Sequence, residues 1–294
     1  MATVADCLRK GAASLKNAGI DNAAFEARLL LSETMGVPAP SLIAYPERSV
    51  PDPDAFGRVI ERRARREPVA QIVGRREFWG LPFEVTADTL DPRPDSETVV
   101  AAVLEAQSNR GRALQILDLG TGTGCLLLSL LSELPGATGL GVDRSRAALT
   151  VARRNAERLG LAERARFLES DWTGAVAGQF DVVVANPPYI PSADIEKLQP
   201  EVASYEPRRA LDGGPDGLEA YRSLLSDIDR VMKPGAIVAL EVGDGQAAAV
   251  GALLDGRDLE PGEYQKDLSG RVRCVLAKRR IQATKQKKSL EYRG

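Results

Sequence analysis

The sequence contains no histidine. That absence removes Ser-His and Cys-His catalytic pairs and histidine-ligated metals, and it leaves proton transfer near neutral pH to other groups. Only three cysteines occur, Cys7, Cys125 and Cys274, with no short spacing between them. Neither a disulfide framework nor a zinc cluster is expected, so no metal is. Such cysteine usage fits a reduced compartment, and a cytoplasmic protein is the expectation. No apolar run is long enough to span a bilayer, and the first residues, with Asp6 among them, lack a signal-peptide core. Charge of one sign is missing as well: 39 Lys and Arg against 41 Asp and Glu leave a formal −2. That balance gives no global attraction to nucleic acid or to a membrane surface.

What is present is ordinary globular composition, 44% hydrophobic and 27% charged over 294 residues. This length holds one large domain or a small and a medium one. Residues from Thr3 to about Arg66 read as helices. Val4, Leu8 and Leu15 share a face behind a Thr3/Asp6 capping pair. Ala24, Ala27, Leu31 and Met35 form a second stripe closed by Gly36. Asp52 to Arg66 reads as a third helix, with Phe56, Val59 and Ile60 inward. Its polar side carries Arg58, Arg62, Arg63, Arg65 and Arg66, either a solvated face broken by Glu61 and Glu67 or a docking surface for an acidic partner or RNA. From Glu77 to Pro94 the pattern turns to short β-like pieces, expected to form a hairpin linker.

Strands and helices then alternate. Leu114–Leu119, Leu140–Val142, Arg166–Leu168, Val182–Ala185 and Ile237–Leu240 read as strands. Leu126–Leu134, Ala147–Leu159, Leu218–Met232 and Gln246–Leu254 read as helices, the third ended by Lys233-Pro234-Gly235. Tyr264-Gln265-Lys266 and Val272–Ala277 read as a closing hairpin through Ser269-Gly270. Such alternation specifies an α/β fold, a mostly parallel sheet with helices on both faces. The tail from Lys278, with Lys285, Lys287 and Lys288, is basic and is expected to be disordered. The domain expectation is 1–75 helical, 76–95 linker, 96–280 catalytic and 281–294 tail.

Four features fall after successive strands, where open α/β sheets bind ligands. The first is Gly120-Thr121-Gly122-Thr123-Gly124, whose glycines let backbone approach a ligand closely. The dinucleotide spacing is absent, because Cys125 stands where its last glycine would fall. The second is Asp143, about 20 residues on, placed to grip ribose hydroxyls or to cap the next helix. The third is Trp172 in Asp171-Trp172, which can cover an adenine face or fill the core. The fourth is Asn186-Pro187-Pro188-Tyr189. The two prolines hold the chain extended and leave carbonyls free to face a ligand. Asn186 adds an amide and Tyr189 a flat ring, so the four residues make a clamp for a planar, amide-like nitrogen. The bland alternative is a strand ending in a Pro-rich turn.

With these motifs the chain resembles the S-adenosylmethionine-dependent methyltransferases of the seven-strand, Rossmann-like class. Within them it is similar to the peptide chain release factor glutamine methyltransferases. The likeness runs through Glu77-Phe78-Trp79-Gly80, Pro92-Arg93-Pro94-Asp95-Ser96-Glu97, the glycine loop, Ser170-Asp171-Trp172 and Asn186 to Pro191. It continues through Tyr205-Glu206-Pro207-Arg208, Leu211 to Gly214 with Asp216-Gly217, Leu240-Glu241-Val242-Gly243 and Asp267 to Arg271. Asn-Pro-Pro-Tyr alone is shared with DNA adenine methyltransferases; the combination is specific. Asp91 and Ala87-Asp88 depart from the family pattern around the hairpin.

The resemblance implies S-adenosyl-L-methionine as cofactor, held by Gly120 to Gly124, Asp143, Trp172 and Asn186. It implies that Asn186, Pro187, Pro188 and Tyr189 clamp the substrate, with Asn186, Pro187 and Tyr189 as the catalytic set. The substrate implied is the glutamine of a Gly-Gly-Gln segment in class 1 release factors, methylated on its side-chain N5. A monomer needing neither membrane nor nucleic acid is expected. Competing readings are an N6-adenine methyltransferase, which would need a basic groove to extract its base, a glutamine methyltransferase of a ribosomal protein, and a cofactor-binding sensor without catalysis.

Overall fold

The computed structural model describes residues 2–281. Five helices open the chain: α1 (Val4–Asn17), α2 (Ala23–Met35), α3 (Ala39–Ala44), α4 (Pro53–Ala64) and α5 (Val69–Val73). Thr3 caps α1 by accepting from the Asp6 N–H at 3.2 Å. Gly36, at φ 64°, closes α2 in the left-handed conformation. The α2 core face is Ala23, Ala27, Leu30 and Leu31, whereas Ala24 is exposed, so the expected stripe starts one residue too late. These helices bury their own core around Leu15, Leu31, Phe56 and Ile60.

The five arginines of the third expected helix do not share one fate. Arg58 and Arg65 are exposed, but Arg63 is buried. Arg63 lies 2.5 Å from Glu26 on α2 and 2.8 Å from Glu201. Arg66 reaches the other Glu201 oxygen at 2.8 Å and the Gly19 carbonyl at 2.8 Å, while Arg62 pairs with Glu67. The cluster is therefore split: Arg58 and Arg65 are solvated, as one expectation had it, while Arg63 and Arg66 are engaged within the chain. Alternating sequence charge could not reveal this, because Glu201 lies 138 residues from Arg63.

A two-stranded hairpin follows, β1 (Arg75–Phe78) and β2 (Leu81–Glu84), turning at Trp79 and Gly80, both with positive φ. A 3-10 turn over Pro94–Ser96 leads into α6 (Glu97–Ala106). The chain then runs β3 (Gln115–Leu119), α7 (Cys125–Glu133), β4 (Thr138–Asp143), α8 (Arg146–Arg158), β5 (Ala165–Glu169) and β6 (Phe180–Ala185). It continues with α9 (Pro200–Tyr205), α10 (Glu219–Leu225), α11 (Ile228–Val231), β7 (Met232–Glu241), α12 (Ala247–Asp255), β8 (Leu259–Lys266) and β9 (Val272–Arg279). The seven-stranded sheet has the order β5-β4-β3-β6-β7-β9-β8, in which β9 alone runs against the other six. Two apolar cores, one on each face, enclose it, as a parallel sheet requires.

Two expectations fail. The helix expected over Leu218–Met232 breaks into α10 and α11, and Met232 already pairs with Phe180 in the sheet. Lys233-Pro234-Gly235 lies inside β7 rather than ending a helix. The register there shifts between Phe180 and Val182, a bulge in which Gly235 adopts φ 78° and Pro234 needs no ladder donor. At the other end, Lys278 and Arg279 belong to β9, pairing with β7 and β8. Lys285, Lys287 and Lys288 of the expected tail lie outside the described residues.

Removing one partner of a buried ion pair leaves the others uncompensated. Arg63→Ala is therefore expected to destabilise the protein by about 3 kcal/mol, whereas the exposed Arg65→Ala is expected to be near neutral. Urea unfolding followed by circular dichroism checks this; equal midpoints for the two variants would exclude the buried pairing.

Candidate active site

Strand register sets the level of the site. Leu119 pairs with Val142 and Ala185, Asp143 with Glu169, and Ala185 with Leu240. Gly120, Asp143, Ser170, Asn186 and Glu241 therefore emerge side by side at the carboxyl edge of five adjacent parallel strands. Asn186 stands next to Glu241 because each follows or ends one of two paired strands. This is the edge where doubly wound sheets hold ligands.

The glycine loop leaves β3 with Gly120, Gly122 and Gly124 at φ 76°, 55° and 82°. The Gly120 and Thr121 N–H groups both donate to the Val142 carbonyl at 2.8 Å, folding the loop back over the sheet edge. Asp143 fixes its tip: one carboxylate oxygen accepts from the Gly122 N–H at 3.0 Å and the other from the Ser145 N–H at 2.8 Å. The cap of α8 is Ser145, not Asp143. A Cβ built on Gly120 would lie 3.6 Å from the Trp172 ring, and Trp172 itself has φ 45°. The indole thus lies against the bare loop backbone, and its left-handed conformation marks a residue held there by its surroundings.

Loop, acid, indole and part of the clamp border one cleft. Gly120, Thr121, Gly122, Thr123, Asp143, Trp172, Asn186 and Pro188 line it. Gly124, Pro187 and Tyr189 do not: Gly124 caps α7, Pro187 is buried, and Tyr189 is half-buried against the second core. The Tyr189 hydroxyl donates to Glu241 at 3.3 Å, and burial followed by the Glu241 charge raises its pKa.

The Asn186 side chain has a defined polarity. Its Nδ2 donates to Ser96 Oγ at 3.1 Å, and the residue borders the cleft. Ser96 was not anticipated as a site residue, and neither were Asp118 or Glu241. Ser96 arrives on the 3-10 turn before α6, ninety residues away. Its only sequence signal was its place in the Pro92–Glu97 motif. Asp118 is buried beneath the glycine loop, where desolvation pushes its pKa to about 7. Its Oδ2 accepts from Thr121 at 2.6 Å, while Oδ1 has no partner. An unpartnered buried acceptor below the loop, with Asp143 at its tip, suits a ligand with an ammonium and ribose hydroxyls. The Cys125 thiol also borders the cleft, but burial pushes it up to about 12, so it stays protonated and is no nucleophile.

The comparisons agree with this geometry. Residues 6–74 match the PrmC N-terminal domain, and residues 94–201 match the methyltransferase small domain. Among solved structures, a methyltransferase from Pyrococcus furiosus aligns with TM-score 0.53 at 20% identity, over 75% of this chain and 99% of that one. The catalytic domain of hMettl16, in complex with an RNA hairpin, aligns with TM-score 0.57 at 16% identity, over 77% and 83%. At such identities these two share the fold alone. Curated relatives are far nearer. The release factor glutamine methyltransferase of Rhodospirillum rubrum is 50% identical over 275 residues, 93% of this chain and 84% of that protein. The enzyme of the same name from Caulobacter vibrioides is 47% identical over 89% of this chain and 91% of its own. Both alignments take in the helical N-terminal region as well as the sheet, and the chain belongs to the release factor glutamine methyltransferase family.

Proposed function

We propose that this enzyme transfers a methyl group from S-adenosylmethionine to N5 of the glutamine in the Gly-Gly-Gln segment of class 1 peptide chain release factors, in support of translation termination. The observation that carries the proposal is the polarity of Asn186, whose amide nitrogen is taken by Ser96 at 3.1 Å. Its oxygen is thereby offered as an acceptor beside the glycine loop. A glutamine amide is a poor nucleophile, because its lone pair is delocalised into the carbonyl. Asn186 Oδ1 and the Pro187 carbonyl would accept its two hydrogens, raise electron density on nitrogen and aim it. Tyr189 would restrict rotation of the amide plane. Two glycines before the glutamine let such a segment approach the clamp.

S-adenosylmethionine, when bound, supplies a methyl group made electrophilic by its sulfonium. Gly120 to Gly124 would carry its amino-acid arm, with Asp118 Oδ1 as acceptor for the ammonium. Asp143 would hold the ribose and Trp172 the adenine. In the overall change the amide nitrogen gains the methyl group, the sulfur keeps the bonding electron pair, and one N–H proton departs. The Asn186 oxygen remains hydrogen-bonded to the nitrogen as it becomes cationic, so its contribution grows toward the transition state.

We assign substrate selection to residues 1–75, the approach to the site to the linker 76–95, and catalysis to 96–280. No helix among the described residues is long and apolar enough to cross a membrane. A cytoplasmic monomer that needs no nucleic acid fits the balanced charge and the protein substrate. The adenine reading has less support, because the chain carries no net basic charge with which to extract a base.

Mass spectrometry of a release factor incubated with the enzyme and isotope-labelled S-adenosylmethionine tests the assignment; label on adenine instead of glutamine would overturn it. Asn186→Ala is expected to lower single-turnover methylation by roughly 10²–10³ while weakening cofactor binding far less. A wild-type rate in this variant would remove the clamp. Asp143→Ala is expected to weaken S-adenosylmethionine binding by about 1–3 kcal/mol, and Trp172→Ala to weaken it through lost stacking; calorimetry showing unchanged affinity in both would reassign the nucleoside site. Turnover is expected to survive extensive chelation, and activity lost to EDTA and restored by a divalent ion would contradict that.

A further inference from the structure

The cleft is crossed by a side chain that neither the clamp nor the cofactor contacts above employ. Arg209 lies on the 3-10 turn Arg208–Ala210, in the segment that follows the clamp, and it borders the cleft. One of its nitrogens, Nη2, donates to Ser145 Oγ at 2.8 Å and to the Asp88 carbonyl at 3.4 Å. Topology gives this reach its meaning. The segment holding the turn returns to the chain leaving the clamp, where Ile190 pairs with Asp212, so Arg209 starts from the β6 side. Ser145 stands just after β4, before the first turn of α8. Between β4 and β6 lies β3, whose carboxyl end carries the glycine loop. A side chain running from one side to the other therefore passes over that loop.

The points it joins are fixed. The Ser145 N–H donates to Asp143 at 2.8 Å, and Asp143 also takes the Gly122 N–H at 3.0 Å, so one landing is tied to the glycine loop itself. Ser145 Oγ accepts from the Ala148 N–H at 3.3 Å as well, and its two lone pairs suffice for both donors. On the linker, Asp88 sits in a turn: its N–H donates to Thr86 Oγ1 and the Thr89 N–H to the Thr86 carbonyl, both at 3.2 Å. At the root of the arm, the Ile190 N–H donates to the Leu211 carbonyl at 3.0 Å and the Gly213 N–H to the Ile190 carbonyl at 2.8 Å. The arm between them is an exposed side chain, which can turn away without any movement of backbone. Its two acceptors are a hydroxyl and a carbonyl rather than carboxylates, so the hold is one of modest strength that opens readily.

We propose that Arg209 is a bar across the cofactor's cleft: S-adenosylmethionine enters, and the product S-adenosylhomocysteine leaves, when the guanidinium lets go of Ser145 and Asp88. The inference rests on the reading of this cleft as the cofactor site. Where a single nitrogen bonds both rims, the gap is no wider than that atom and its two hydrogen bonds, and a nucleoside does not pass. Both acceptors belong to the rims and not to the ligand. A restraint that is equal with and without ligand changes the rates of exchange and leaves affinity alone. That separates a bar from a residue that grips the cofactor, whose loss speeds dissociation only. It also separates a bar from a charge that repels the sulfonium, whose loss speeds entry of S-adenosylmethionine but not of S-adenosylhomocysteine, which has no sulfonium.

The test is stopped-flow tryptophan fluorescence of the full chain, in which Trp172 borders the cleft. It reads association and dissociation rates for S-adenosylmethionine and for S-adenosylhomocysteine, with calorimetry giving the equilibrium affinity of each. Arg209→Ala is expected to raise both rates for both ligands by roughly three- to tenfold, the factor that one hydrogen bond from a charged donor makes, with affinity held within about twofold. Arg209→Lys keeps the charge but loses the planar fork, and its rates are expected to fall between those of wild type and Arg209→Ala. Unchanged exchange rates in Arg209→Ala would overturn the bar. So would faster dissociation with binding weakened in proportion, which makes Arg209 a cofactor contact. Acceleration confined to S-adenosylmethionine would overturn it too, by reducing the effect to charge. Asp143→Ala and Trp172→Ala report on the cleft itself. Weaker binding in those two, beside unchanged exchange in Arg209→Ala, removes the bar and leaves the cofactor site standing. Unchanged binding in both removes the cofactor reading of the cleft, and the bar with it.

Discussion

The site depends on one hydrogen bond, from Asn186 Nδ2 to Ser96 Oγ. A carboxamide is nearly symmetric in shape but opposite in polarity at its two ends, so sterics alone cannot orient it. A serine hydroxyl can accept from the nitrogen or donate to the oxygen, and here Ser96 Oγ takes the nitrogen. The sheet provides the backbone position of Asn186, at the end of β6 between β3 and β7. It does not decide which end of the amide meets the cleft. That choice is made by the turn before α6, which the chain must bring over the sheet edge from the other side of the linker. Fold and chemistry are thus joined at a contact between residues that no local pattern relates.

Burial performs the work that histidine does elsewhere. Three carboxyl groups, on Asp118, Glu206 and Glu241, are pushed to about 7, in each case chiefly by loss of solvent. They lie under the cofactor loop, behind the clamp's trailing segment and behind the clamp itself. Burial thus raises these carboxyls in a chain that has no imidazole. The cost is an ionised group in a dry place, which is tolerated only with partners at hydrogen-bonding distance. Glu206 illustrates the balance: Arg93 lies 2.5 Å from it, yet one of its oxygens remains unpartnered.

What could be read from the sequence was what is local. Alternating apolar runs gave the parallel sheet, because each strand is buried on both faces and each helix on one. The glycine loop, Asp143, Trp172 and Asn186 were legible because topology alone sends every strand's carboxyl end to one edge. Ser96 and Glu241 were not, since Ser96 meets Asn186 and Glu241 meets Tyr189 only through contacts distant in sequence. Lys233-Pro234-Gly235 misled for a related reason. It reads locally as a helix stop, but Met232 is already paired with Phe180, and the sheet accommodates the proline and glycine as a bulge. Arg63 looked like one more surface charge because its partner Glu201 is far away in sequence.

That last pairing bears on how a protein substrate would be presented. The segment after the clamp contains α9, and it is gripped at both ends. Glu201, at its start, takes Arg63 and Arg66 from the N-terminal helices. Glu206, just past its end, takes Arg93 from the strap leading to Ser96. Between them, the Tyr205 hydroxyl donates to the Arg65 carbonyl at 2.6 Å, and Gln71 donates to the Tyr205 carbonyl at 3.2 Å. The N-terminal helices, the strap carrying Ser96 and the chain leaving Tyr189 are therefore fastened to one short helix. A displacement of about 1 Å at a reacting centre is worth orders of magnitude in rate. A surface that engages a whole protein can meet that tolerance only if it is tied rigidly to the atoms that orient the amide. Arg63, which is buried, and Arg66, which is partly so, contribute to that fastening through Glu201.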